Sequence, residues 1–600
     1  MAQLRIALAQ VNPTVGDLDG NADLIVEWTR RAAGAGAHLV AFPEMMLTGY
    51  PVEDLALRTS FVQASLRALE RTARRLADEG LGGLPVVTGH LDRRAVSLVR
   101  SGQPAGSPLD GAAWLHGGEV LVRSAKHHLP NYGVFDENRI FVRGDRLPVV
   151  RLHGVDVATV ICEDLWQDGG PVAATGAAGA GLLLSINASP YERNKDDVRL
   201  DLCARRAREA GCALAYVNLV GGQDELVFDG DSLVVGADGD LLARAPQFTE
   251  DLLVVDLALP AADAAPAARP DPAPVDAGDG TSIAIDRYTL SADPLPPYPV
   301  APQPLAEPLD DLAEVYGALV LGTRDYVRKN GFRSVLLGLS GGIDSALVAT
   351  IAADAIGPGN VHAVLLPSRY SSEGSVTDAE ELVKRQGLNS RLVPIGAMVD
   401  AFESELELTG LAAENLQARI RANVWMGLSN QDGHLVLTGG NKSELATGYS
   451  TLYGDSAGGF GPIKDLTKTM VWALARWRDT RRGTPGHPFL HPFEHEPIPE
   501  AIIVKEPSAE LRPGQKDRDS LPDYSVLDPL LVDYVERDLG RDALVAAGHD
   551  AALVERVIRL VDLAEYKRRQ YPPGPKITPK NFGRDRRLPI TSRWREPSAG

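Results

Sequence analysis

Val335-Leu336-Leu337-Gly338-Leu339-Ser340-Gly341-Gly342-Ile343-Asp344-Ser345, running into the apolar stretch Ala346 to Ile356 and then Gly357, decides the fold of the second half of the chain. A short aliphatic run, a glycine turn and an apolar helical run predict a strand that feeds a helix N-terminus. The N–H groups of such a turn and the positive end of the helix aim at one spot, where anionic oxygens bind. A phosphate site follows. The turn has no Gly-Lys-Ser or Gly-Lys-Thr, so it is not an ordinary Walker loop. Ser340 and Ser345 can donate to phosphate, whereas Asp344 cannot. A carboxylate beside a polyphosphate needs a cation in between, which makes Asp344 a magnesium ligand.

Working outward, Leu309 to Asn330 carries a helical pattern, and Pro294 to Pro308 before it is rich in proline. From Pro260 to Gly280 the composition falls to mostly Ala, Pro, Asp and Gly, too poor in apolar surface to offset its ordering entropy. Residues 260–308 are therefore read as a linker and connection between domains at 1–259 and 309–600. In the first domain, short apolar runs alternate with helical patterns: Leu4 to Ala9, His38 to Phe42, Pro85 to Thr88, Val157 to Ile161, Leu182 to Ile186, Ala213 to Val220 and Ser232 to Val235. Ala237-Asp238-Gly239-Asp240 reads as a hairpin turn. The result is a layered α/β domain. No internal repeat is detectable.

In such domains, residues at strand ends share a rim. Phe42-Pro43-Glu44, Arg123-Ser124-Ala125-Lys126 and Val160-Ile161-Cys162 each end a predicted strand, so an acid, a base and a thiol can meet there. A cysteine attacks a carboxamide as thiolate, with a base to take its proton and a donor for the oxyanion. Glu44, with a pKa raised by burial, would relay the proton to departing ammonia and activate the hydrolytic water. Lys126 would stabilise the oxyanion.

Glu44 between Phe42-Pro43 and Thr48-Gly49-Tyr50, Lys126 before Leu129-Pro130-Asn131-Tyr132, and Cys162-Glu163-Asp164 together resemble the nitrilase family, whose members hydrolyse amides or nitriles. The Ser340–Ser345 loop resembles the signature of ATP pyrophosphatases. Glu414-Asn415-Leu416-Gln417-Ala418-Arg419-Ile420-Arg421, Gly439-Gly440-Asn441-Lys442-Ser443-Glu444, Tyr453-Gly454-Asp455 and Pro507-Ser508-Ala509-Glu510-Leu511 look like motifs of NAD synthetases. Val220-Gly221-Gly222-Gln223-Asp224-Glu225 resembles the glutaminase domain that precedes them. The chain is thus similar to the glutamine-dependent NAD synthetase family over nearly its whole length.

The resemblance implies an N-terminal nitrilase-like α-β-β-α sandwich and a C-terminal doubly wound, parallel-sheet α/β domain of the ATP-pyrophosphatase type. It implies a magnesium-dependent ligase that adenylates deamido-NAD with ATP and aminates it to NAD, the last step of NAD biosynthesis. By matching positions, Tyr132, Ser189 and Lys195 would recognise glutamine. Gly338, Leu339, Ser340, Gly341, Gly342, Ile343, Asp344, Ser345, Gly439, Lys468 and Ser508 would contact ATP; Asn415, Glu444 and Lys567 would contact deamido-NAD; and Asp344 and Glu444 would hold Mg2+. Gly439 stands where many relatives have a threonine, and Thr438 is open as its substitute. A dry passage for ammonia and a homo-oligomer are further implications.

The 600 residues carry 61 Lys plus Arg against 80 Asp plus Glu, and the net charge of −19 disfavours a general nucleic-acid binder. Lys567 to Arg595 holds ten basic residues and one acid. An anionic dinucleotide suits that stretch better than nucleic acid, because its single aromatics lack stacking spacing. Cys162, Cys203 and Cys212 show no CxxC spacing, and the latter two read as structural thiols. The first ten residues do not read as a secretory signal, and Gly169 to Tyr191 reads as helix then strand rather than a membrane span, so a cytoplasmic location is expected. His127 and His128 are not expected to bind a metal, since neighbours on a strand point oppositely and no carboxylate completes a site. Three rival readings are an amidotransferase acting on another substrate, an amidase with a decayed nucleotide half, and a non-enzymatic nucleotide sensor.

Overall fold

Period-two alternation along the strand Ala2–Gln10 sets the layering of the first half. Leu4, Ile6 and Leu8 enter a core shared with Val157, Leu184 and Ala215, while Ala7 and Ala9 face the other way, toward Ile25, Val26 and Leu69. The same switch occurs at Leu182, Leu184 and Ile186, which face inward, and Leu183, which packs with Val172 and Leu202. Two sheets thus stack face to face, with helices Leu18–Gly34 and Thr59–Asp78 outside one and Gly170–Ala178 and Lys195–Ala210 outside the other. This is the α-β-β-α sandwich. Trp114 spans its interior, its indole N–H donating to the Thr159 hydroxyl at 3.1 Å.

The computed structural model describes residues 1–94, 107–262, 274–481, 483, 487–594 and 596. It divides into a unit of Met1–Gln223 with Phe228–Leu309 and a unit of Asp224–Val227 with Asp310–Gly600. In the first unit, one sheet has six strands in the order Asp251–Leu259, Ala2–Gln10, Leu39–Ala41, Val86–Arg93, Pro108–His116, Glu119–Ala125. The other has eight, with Val155–Ile161, Leu182–Asn187 and Ala213–Asn218 parallel at its centre. Glu44, Lys126 and Cys162 each follow a strand end, the first two on one sheet and Cys162 on the other.

Part of the expected connection belongs to this unit. Ser282–Thr289 pairs in parallel with Arg146–Leu152 and also carries the short strand Val275–Asp276. Its Ile283 and Ile285 are buried at period two, a signal overshadowed by the Pro/Ala-rich composition on both sides. Much of the Pro260–Gly280 stretch, residues 263–273, lies outside the described residues.

The second unit is built on a fully parallel sheet ordered Asn389–Leu392, Val361–Leu365, Val335–Gly338, Leu435–Leu437. The next strand in the chain lies on one side of Val335–Gly338 and a much later one on the other, so a crevice opens at its carboxyl end. The phosphate loop sits there. The following helix runs Ile343–Ile356, placing Asp344 and Ser345 in its first turn. A helical subcluster of Leu445, Leu527, Leu531, Val554 and Val557 packs beyond it.

The basic stretch near the C-terminus is built into this unit. Arg568, Lys576 and Arg586 are buried, and Arg568 pairs with Glu565 at 2.9 Å. Arg595 lies outside the described residues. Among the described residues no helix is long and apolar enough to cross a membrane, and Gly170–Ala178 followed by Leu182–Asn187 forms the expected helix and strand.

Candidate functional site

Both sheets of the first unit contribute to a buried charged cluster. The Lys126 ammonium lies 2.7 Å from Glu44, 2.8 Å from Glu137 and 3.6 Å from Asp110. Glu44 uses its second oxygen to accept from the Ala188 N–H at 2.7 Å, just past the strand Leu182–Asn187. Tyr50 donates to Glu137 at 2.9 Å. Cys162 caps the short turn Glu163–Trp166 with φ +43°, in the left-handed region where a non-glycine residue costs about 1–3 kcal/mol. Its N–H is held by the Ile186 carbonyl at 3.0 Å.

Three carboxylates around one ammonium would carry a net −2 if all were ionised, which a dry interior opposes. The protons divide unevenly. Burial, and then the Glu44 charge, push Asp110 well above its ordinary value, which favours its neutral form beside Glu44. Burial also pushes Glu44 up, but Lys126, Asp110 and the Ala188 N–H outweigh it and bring Glu44 below the ordinary value. This corrects the expectation of a raised Glu44. Burial carries Glu137 up to about 7 against the pull of Lys126. Burial, followed by the Glu44 charge, raises the Cys162 thiol well above its ordinary value, so the resting nucleophile is a thiol that needs a base.

Neither Asp110 nor Glu137 stood out in the sequence reading. Glu137 lies five residues beyond Tyr132, past the end of the stretch quoted for Lys126, and Asp110 sits inside a strand with nothing local to mark it.

The three expected glutamine residues fall near this cluster. Tyr132 donates to Glu163, the residue after Cys162, at 3.0 Å. Lys195 begins the helix Lys195–Ala210, reaches the Pro190 carbonyl at 3.0 Å and is lowered to about 8 by burial, then by Arg199. Ser189 is buried, and its N–H is fixed by Asn218 at 2.9 Å. Burial raises Cys203 and Cys212 to about 12 and both lie in the core, which leaves them inert as expected.

In the second unit a cavity of about 660 Å³ is lined by every residue expected at the nucleotide: Gly338 to Ser345, Asn415, Gly439, Glu444, Lys468, Ser508 and Lys567. Gly341 is required at the turn. Its φ is +74°, and a Cβ there would lie 2.1 Å from the Ser375 carbonyl oxygen. Ser345 ties the loop by donating to the Gly342 carbonyl at 3.0 Å and accepting from the Ser340 N–H at 3.2 Å.

The Lys468 ammonium bonds Asp344 and stands 3.5 Å from Glu444. Asn441 caps the helix Lys442–Thr447, accepting from the Glu444 N–H, and donates from its amide to Asp344 at 3.0 Å. Burial pushes Glu444 up to about 8, with Lys468 opposing and Asp344 adding to the rise. Lys567 donates to the Gly448 and Ser450 carbonyls, and Asn415 accepts from Thr451. At Gly439 a Cβ would meet nothing within 4 Å, so space stands open where relatives are expected to carry threonine. Lys505, which the sequence reading left aside, also borders the cavity and donates to the Gly341 carbonyl at 3.2 Å.

The carbon-nitrogen hydrolase family model matches residues 5–267, and the NAD synthase model matches 315–571. The glutamine-dependent NAD(+) synthetase of Rhodobacter capsulatus is 42% identical over 609 residues, covering 99% of this chain and all of that one. That of Thermotoga maritima is 42% identical over 625 residues and covers both chains completely. This chain belongs to the glutamine-dependent NAD synthetase family. A solved family structure, the Acinetobacter baumannii enzyme in complex with adenosine diphosphate, has a TM-score of 0.69 and 37% identity, covering 99% of this chain and 100% of that chain. The Cytophaga hutchinsonii family member, at 21% identity and a TM-score of 0.75, shares the fold. The chain is therefore a two-domain ligase of this family.

Proposed function

We propose that this protein converts deamido-NAD to NAD, using ATP for activation and glutamine as nitrogen donor, the last step of NAD biosynthesis. The observation that carries this reading is the presence of two complete sites on one chain, a thiol–carboxylate–ammonium cluster and a lysine-free phosphate loop.

In the first site the ionised Glu44 takes the Cys162 thiol proton as sulfur attacks the glutamine carboxamide carbon. Lys126 stabilises the oxyanion. Collapse breaks the C–N bond, and Glu44 returns its proton to departing ammonia; its low basicity favours that transfer. Water, deprotonated by Glu44, then cleaves the thioester to release glutamate. Lys195 pairs with the substrate α-carboxylate, Tyr132 and Ser189 supply hydrogen bonds, and Glu163 offers an anion to the α-ammonium group.

In the second site the Ser340–Ser345 loop cradles the ATP phosphates, and Lys468 and Ser508 donate to them. Lys567 and Asn415 border the deamido-NAD end. The nicotinate carboxylate displaces pyrophosphate from ATP to give an adenylate, and ammonia displaces AMP from that adenylate. Two oxygen-donor carboxylates facing one phosphate cavity fit Mg2+, so Asp344 and Glu444 would hold it, with charge neutralisation of the departing pyrophosphate as its contribution. One assay tests the whole reading. Purified protein with ATP, Mg2+, glutamine and deamido-NAD should yield NAD, AMP, pyrophosphate and glutamate in equal amounts. AMP without NAD, or glutamate alone, would refute it.

A further inference from the structure

Outside the catalytic cluster, His127, His128 and Asp279 of the first unit converge although Asp279 lies 152 residues beyond His127. The sequence expectation set the two histidines aside because neighbours on a strand diverge. The strand ends at Ala125, however, and the backbone bends at His127. The Asp164 carboxylate accepts the N–H groups of both histidines, at 3.1 and 2.9 Å, and both rings swing to one side with centroids 4.7 Å apart.

The three donors share a corner. His127 Nε2 lies 3.0 Å and His128 Nε2 3.2 Å from the same Asp279 oxygen, Oδ2, and all three atoms fall within 4.8 Å of one another. His127 Nδ1 is 2.7 Å from the Gly144 carbonyl, to which it must donate, so in the neutral ring Nε2 presents a lone pair. Asp279 Oδ1 is already engaged by the Thr281 N–H at 2.9 Å and hydroxyl at 2.5 Å, which leaves Oδ2 to face the imidazoles. The His127 Nε2 lone pair therefore faces Asp279 Oδ2 at 3.0 Å, a repulsive contact that a cation between them relieves, with the Thr281 hydroxyl 3.3 Å from the same nitrogen. Room for the His128 ring depends on Gly170, where a Cβ would stand 2.2 Å from Cε1.

We propose that His127, His128 and Asp279 bind a divalent transition-metal ion of the zinc class through Nε2, Nε2 and Oδ2. Imidazole and carboxylate are the donors such ions take, and tetrahedral sites place neighbouring donors ~3.3 Å apart. The Gly144 carbonyl and Thr281 fix the orientation of two of the three ligands, as outer partners of bound metals do. Asp279 is 14% exposed, so water reaches the fourth position. The ion would fasten the hairpin of Val275–Asp276 and Ser282–Thr289 to the segment that follows Lys126. Through Asp164 it would also brace the turn that carries Cys162.

The test is Co2+ titration of metal-stripped, full-length Cys162→Ala protein in excess Mg2+, so that neither the thiol nor the magnesium carboxylates take up the probe. One equivalent should bind, with the intense visible bands of a tetrahedral site, and Zn2+ should displace it. Asp279→Asn and His128→Gln should abolish the bands. Thr281→Val, which keeps all three ligands, should weaken binding by about 10- to 100-fold. Absence of the bands in the parent protein, or unchanged bands in both ligand variants, would overturn the proposal.

Discussion

Lys195 is lowered and Asp110 raised at the proposed glutaminase centre, in both cases first by burial. With its pKa lowered to about 8, Lys195 is charged below that pH and loses its ammonium above it. If it holds the glutamine carboxylate, kcat/KM for glutamine should fall about tenfold per pH unit above pH ~8. Lys195→Arg should shift that fall upward, because guanidinium keeps its charge. Initial rates of glutamate release in both proteins check this, and coincident profiles would remove Lys195 from the carboxylate. Asp110, raised by burial and by the Glu44 charge, is the proposed donor to Glu44. Asp110→Asn preserves a donor and should retain activity within about threefold, whereas Asp110→Leu removes it and should cost at least about tenfold in kcat and displace the acidic limb of the profile. In the second site, Gly439→Thr should be tolerated, since the added side chain enters open space, and KM for ATP reports whether it gains a contact. A large loss of stability would contradict the observed clearance.

At the scale of elements, the support beneath the glutamine residues is a buried ion triad. Arg199, in the helix Lys195–Ala210, donates to Asp229 and Asp231 at 2.9 Å, and all three side chains are fully buried. Arg199→Met strips Asp229 of its guanidinium and leaves Asp231 with Arg244 alone, and should destabilise the protein by about 3–5 kcal/mol, with Asp229→Asn plus Asp231→Asn in the same background restoring part of it. Urea midpoints measure both, and no recovery in the triple variant would place the loss in packing instead. Such elements also mark what the sequence made legible. Strands were readable at Val335–Gly338 and Val155–Ile161, because both are apolar runs ended by a turn, and Asp344 and Cys162 follow their ends. Ser282–Thr289 was hidden, since its two buried isoleucines lie amid polar residues and beside a proline-rich segment. Asp110, Glu137 and the Asp279 partnership were also hidden, because each gains its meaning only from residues far away in the chain. Neighbouring histidines appear divergent on paper because the bend at His127 is imposed by Asp164, a long-range contact.

For the whole molecule, each unit carries its own chemistry, and ammonia is the shared species. Cys162→Ala removes the proposed nucleophile for ammonia release but leaves the phosphate loop intact. It should abolish glutamine-driven NAD formation, with NAD formation from added ammonium salts remaining within about twofold of the parent. Asp344→Asn keeps the loop's shape while removing one of the two carboxylates proposed to hold Mg2+. It should lose both glutamine-driven and ammonium-driven synthesis by at least about a hundredfold, because the departing pyrophosphate then lacks a counter-charge. Glutamate release by that variant separates the two centres, since hydrolysis that survives without NAD or AMP places activation entirely in the second unit. Retained synthesis from ammonium in Asp344→Asn would remove the cation from that carboxylate. Loss of ammonium-driven synthesis in a folded Cys162→Ala protein would mean that the first unit does more than release nitrogen. The pair of variants therefore assigns each half-reaction to one unit through opposite patterns of loss.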